Sequence, residues 1–114
     1  MLSSEDRVRL MHMLDATEKA TALTTGKTKC DLETDELLSL AIVRLLEIIG
    51  EAAKSVSEVV RDNWPSVPWK QIAGTRDRLI HGYFNVDLDI VWSIVSQDLP
   101  ALTQRLQAIL EEKE

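Results

Sequence analysis

The amino-acid sequence predicts a small all-α bundle of four to five antiparallel helices, built as a single domain over residues 1–114. Three observations carry that expectation. Apolar residues recur at spacings of three and four through most of the chain, and no strand-like alternation runs beyond a few positions. Residues with cap chemistry stand just ahead of each periodic run. The chain is 114 residues long and 45% apolar, enough to bury a core without metals or disulfides.

The first helix is expected after Ser3 or Ser4, where Glu5 and Asp6 complement the positive end of the helix dipole. Val8, Leu10, Met11 and Leu14 gather on its inner side and His12 on its outer side, and Gly26 stops it. The stretch "TTGKTKCDLETD" reads as a loop that carries Cys30 without any base nearby. A second helix starts near Asp35, capped by Thr34, and runs through "ELLSLAIVRLLEIIGEAAKSV". Its apolar arc is broad enough for more than one neighbour, while Arg44, Glu47, Glu51 and Lys54 form a polar strip opposite. That strip is either a solvated ion-paired face or the lining of a polar pocket.

Ser57 is placed to cap a short helix, and Pro65 and Pro68 enforce a turn before a third helix, "PWKQIAGTRDRLIHGY", with Pro68 at its first position. Asp87 caps the last helix, which the sequence interrupts near Asp98 and Pro100.

Several function classes are excluded or disfavoured. A net charge of −6 argues against a broad basic surface for nucleic acid, so any such contact must be local. One cysteine cannot bridge internally, which points to a reducing, cytoplasmic setting. The charged start does not read as a signal peptide, and no apolar run is long enough to span a membrane. Two distant histidines and one cysteine match no zinc-site spacing, and no phosphate-binding glycine loop is present. Trp64, Trp69 and Trp92 are spaced as core or rim aromatics.

The chemistry concentrates in "GTRDRLIHGYFNVD", residues 74–87. On an uninterrupted helix Arg76 falls within the stripe of Trp69, Ile72, Ala73, Leu79 and Ile80, where a guanidinium needs a carboxylate or an anion. One reading pairs it with Glu47 or Glu51 to stabilise the fold; the other has it await a phosphate. Asp77 and His81, four apart, share the flanking face, and a carboxylate beside an imidazole suits it to acid–base work. Arg76 and His81 converge only if the helix loosens before Gly82 or if two subunits bring copies together. Gly74 is placed to admit a close neighbouring helix.

"RDRLIHGY" fits the R-x4-H-x-Y motif of HEPN-domain proteins and resembles the HepT-like toxin group in particular. The likeness extends through "LEIIGEAAKSVS", "PWKQIAGTRDRLIHGYFNVDLDIVW" and "DLPAL", from about residue 5 to residue 110. The resemblance implies the toxin of a type VII-like HEPN/MNT toxin–antitoxin pair, acting as a metal-independent endoribonuclease on tRNA or mRNA without a cofactor. It implies that Arg76 and His81 are catalytic, that Asp77 supports them, and that the cleft forms between the two subunits of a homodimer. It also implies that the partner nucleotidyltransferase antitoxin silences the toxin by transferring AMP to Tyr83. Arg44, Glu47 and Glu51 are candidates to line the cleft. Two other readings stand beside this one: a non-catalytic HEPN bundle that binds a nucleotidyltransferase, with Arg76 serving the fold, and a nucleotide-binding accessory subunit.

Overall fold

The structure, a computed structural model, describes residues 2–81 and 85–112. Its helices follow the cap chemistry closely. Helix α1 spans Ser4–Thr24, and the Ser3 hydroxyl accepts a hydrogen bond from the Asp6 amide. Gly26 follows at φ 77°, a left-handed turn that few other residues adopt. Helix α3, Glu36–Ser55, is capped by Asp35, one residue later than expected, through the Leu38 amide. Helix α4, Glu58–Asn63, is capped by Ser57. Asp87 caps α7, Leu88–Ser93, by accepting from the amides of Asp89 and Ile90.

The expected loop around Cys30 is instead a six-residue helix, α2, Lys29–Thr34. The Asp31 carboxylate accepts from the Thr28 amide at 2.7 Å, which organises the first turn, and Leu32 is buried beneath it. Cys30 itself is exposed. Lys29 pairs with Asp89, tying α2 to the first turn of α7. That hydrogen bond and the charge of Asp89 raise the lysine pKa.

Helices α1 and α3 form the central pair, and α8, Leu99–Glu111, packs against α1. Leu10, Met13, Ile42, Leu46, Leu106 and Ile109 are the fully enclosed heart of the core. The inward face of α1 differs from the expected one: Val8 and Met11 are 49% and 53% exposed. Its buried positions are Asp6, Leu10, Met13, Thr17, Ala20 and Thr24, a regular four-three alternation that includes three polar residues, with Ala16 buried beside Thr17. Each polar one is satisfied. Thr17 and Thr24 donate to the carbonyls of Leu14 and Ala20, both at 2.8 Å. Asp6 accepts from the amide and hydroxyl of Ser57 at 2.9 and 2.6 Å.

The interruption near Pro100 is a π turn over Ile94–Asp98, between α7 and α8, in which the Leu99 amide reaches the Ile94 carbonyl. Pro100 has no amide hydrogen to give, and the wider turn removes the clash its ring makes with a regular helical carbonyl. Among the described residues, no helix is long and apolar enough to cross a membrane.

Candidate active site

The predicted third helix is two short ones. Helix α5 spans Trp69–Ala73 and α6 spans Thr75–Leu79, with Gly74 between them. The buried Trp69 anchors α5, its indole N–H donating to the Trp64 carbonyl at 3.0 Å. The break is fixed by Thr75, whose buried hydroxyl donates to the Ile72 carbonyl at 2.6 Å. Within the chain, the close approach is made at Gly50 of α3 and not at Gly74. A Cβ added there would stand 3.1 Å from the Ile72 carbonyl oxygen, whereas one at Gly74 would meet only carbonyls of the preceding turn.

After Leu79 the chain becomes extended. Strand β1, Ile80–His81, pairs antiparallel with β2, Asn85–Val86, in the register Ile80 to Val86 and His81 to Asn85. The Asp87 amide donates to the Leu79 carbonyl at 2.8 Å and closes the ladder against the end of α6.

This local structure overturns one expectation about Arg76. Thr75 and Leu79, four apart, are the buried side of α6, while Arg76 and Asp77 point outward. The break at Gly74 changes the phase of the helix, so Arg76 leaves the stripe of Trp69 and Ile72. Its side chain is 65% exposed, and its Nε lies 3.9 Å from Oε2 of Glu47, whose side chain is 23% exposed. A pair so open and so long contributes about 1 kcal/mol or less. Arg76 is therefore not a buried fold-stabilising cation. It is a permanent positive charge held at the surface.

The predicted Asp77–His81 pair needs a helix running through His81, and the helix ends before it. The loosening before Gly82, one of the two conditions for bringing Arg76 and His81 together, is thus present in the backbone. The His81 side chain and Tyr83 lie outside the described residues. The strip on α3 divides: Glu47 turns to Arg76, whereas Arg44 and Glu51 line a shallow groove with Arg9 and His12 of α1. Glu51 is also 3.5 Å from Lys54. Among the described residues, no group of three or more histidines, cysteines or carboxylates is arranged to hold a metal ion.

The positioning role of Gly50 escaped the sequence reading. Its signal was present, a lone glycine inside an otherwise strong helical run, "LLEIIGEAAK", where a packing reason is expected.

The fold and the site define a class: an all-α bundle that presents an arginine at its surface shortly before a short extended segment bearing a histidine. Comparison with known proteins gives that class its family. The HepT-like family model, described as ribonuclease HepT-like, matches residues 13–109, and the chain belongs to this family. A protein of Caldanaerobacter subterraneus subsp. tengcongensis, provisionally named an RNase, is 39% identical over 107 residues, covering 94% of this chain and 96% of that one. A Methanocaldococcus jannaschii protein whose name joins gamma-glutamylcyclotransferase to a provisional RNase is 39% identical over 106 residues. The match covers 93% of this chain, which spans 48% of that relative's length. A Thermococcus cleftensis protein named, also provisionally, ribonuclease HepT is 38% identical over 79 residues, covering 69% of this chain and 72% of that one. No solved structure matches.

Proposed function

We propose that this chain is a metal-independent endoribonuclease, the toxin of a HEPN/MNT toxin–antitoxin pair, in which Arg76 and His81 act on RNA. The observation that carries the proposal is the exposure of Arg76. A guanidinium at this position of the motif is neither buried nor tightly paired, so it is free to meet a phosphate. Membership of the HepT-like ribonuclease family supports RNA as the substrate class.

Cleavage without metal requires a base for the ribose 2′-hydroxyl, an acid for the departing 5′-oxygen and a cation for the charged phosphate. In this reading, His81 of one subunit removes the 2′-hydroxyl proton and His81 of the other protonates the leaving oxygen. The 2′-oxygen attacks phosphorus, and a 2′,3′-cyclic phosphate and a 5′-hydroxyl are left. Arg76 neutralises the phosphate through the transition state, and Asp77, beside it on α6, tunes the local field. Glu47 restrains the guanidinium from the side, whereas Arg44 and Glu51 line the neighbouring groove against α1. A homodimer supplies the second histidine. A partner nucleotidyltransferase silences the enzyme by placing AMP on Tyr83, adding an anionic group two residues after His81.

The test is cleavage of total tRNA and of an mRNA in EDTA by wild type, His81→Ala and Arg76→Ala. Cyclic-phosphate ends made by wild type, and lowered on the order of a hundredfold in each variant, are the expected result. Cleavage undiminished in His81→Ala would leave a binding module paired with a nucleotidyltransferase as the better reading. Tyr83→Phe that is still silenced by the partner and ATP would remove the AMP-transfer part alone.

A further inference from the structure

We propose that a cleft between α6, the π turn and α8 is a nucleobase-binding subsite for the RNA strand held by Arg76, an inference that rests on the ribonuclease reading. The cleft has a cavity of about 160 Å³. That is well below the ~300–1,000 Å³ typical of small-molecule pockets and suits one planar heterocycle. Its floor is apolar, formed by Leu46 and Ile49 of α3, Ile72 of α5 and Leu102 of α8, all buried. Its rim is polar: Gln71, Gln97 and Asp98 offer amide and carboxylate groups of the kind that read base edges, and Arg78 and Arg105 add two guanidiniums.

Two observations favour a base with its phosphate over an apolar occupant. Among the described residues, neither Arg78 nor Arg105 lies within ion-pair distance of a carboxylate, although the chain as a whole is acidic. Two guanidiniums at the mouth of an apolar slot, against the single carboxylate of Asp98, match the chemistry of a nucleotide, a flat ring carrying an anion. Single-stranded RNA is recognised by splayed bases stacked on aromatic or guanidinium planes and hydrogen-bonded at their edges, and here Arg78 and Arg105 supply the planes. Finally, Arg78 belongs to the same short helix as Arg76, two residues and about 3 Å of axial rise away. Residues two apart leave a helix on different sides, so a strand whose phosphate meets Arg76 crosses α6 to bring a neighbouring base to the cleft, and the cleft then sets which base stands beside the cut.

Fluorescence anisotropy with the full-length His81→Ala chain, which keeps the RNA intact, tests the idea. The probes are labelled decamers of A, C, G or U and an abasic ribose-phosphate decamer. One base should bind roughly tenfold or more tightly than the abasic strand, as expected from burying the apolar face of one ring. Ala101→Phe, which fills the cleft from an exposed position on α8, and Arg78→Gln should each level that difference. Equal binding of all five strands overturns the proposal, as does discrimination that survives both substitutions. Free mononucleotides binding as tightly as the decamers would make this a nucleotide site and not an RNA subsite. Conversion of a dimer to a monomer by Ala101→Phe in sedimentation would place a second copy in the cleft and equally overturn it. The two readings fail separately: cleavage by wild type without base discrimination removes the subsite only, whereas discrimination without cleavage removes the nuclease only.

Discussion

At the scale of the residue, Arg76 and Asp6 are opposites. Arg76 is a surface cation with a weak tether, so Arg76→Ala should move the urea midpoint by no more than the equivalent of ~1 kcal/mol while cleavage collapses. A loss of stability well beyond that would return Arg76 to a structural role. Asp6 is a buried carboxylate with a complete set of partners. Burial pushes its pKa up, but the hydrogen bonds of Ser57 and Ser3 and the charge of Arg9 together outweigh burial and hold it below the ordinary aspartate value. Asp6→Ala should cost about 1–3 kcal/mol, because it strips the Ser57 amide and hydroxyl of their acceptor. The pH dependence follows from the sign of the shift. A depressed folded pKa stabilises the protein fully above the unfolded value of about 3.9 and stops doing so as pH falls through the folded value. Denaturation midpoints at pH 7 and pH 3 should therefore show a gap between wild type and Asp6→Asn that narrows at the acid end. An unchanged gap would mean that Asp6 titrates alike in both states.

At the scale of the element, cap residues were the most legible part of the sequence, because a cap is decided within one turn. Ser3, Ser57 and Asp87 each begin the helix expected of them. Phase was harder to read. The inner face of α1 includes Asp6, Thr17 and Thr24, whose burial depends on partners that a helical wheel does not display, so Val8 and Met11 were placed inward although they face solvent. The division of the third helix was hidden for a similar reason. Gly74 looked like a site of close approach, but the tight contact is between Gly50 and the Ile72 carbonyl, a tertiary fact. Arg76 could be found by motif, but its exposure could not be read until the break had been located. Gly50→Val should separate α3 from the α5–α6 step and cost on the order of 2 kcal/mol. RNA cleavage should fall further than the stability loss alone explains, since the same step orients Arg76. A variant that keeps full activity and a wild-type melting temperature would show that this contact is slack.

At the scale of the whole molecule, charge makes its own prediction. A net charge of −6 leaves no general attraction for RNA, so binding must come from a few local cations. With two or three phosphates met, the logarithm of affinity should fall against the logarithm of salt with a slope of roughly −1.5 to −2. A slope several times steeper would reveal a larger basic surface, such as one assembled between subunits or on a partner. The separation of Arg76 from the core carries a further consequence, for descent. A cation that contributes little to folding is not protected by selection for a folded protein, and once cleavage ceases to matter its codon is free to drift while the bundle persists. A descendant of this chain that lost cleavage would then be expected to keep the caps, the enclosed leucines and the glycine of α3, and to change first at Arg76.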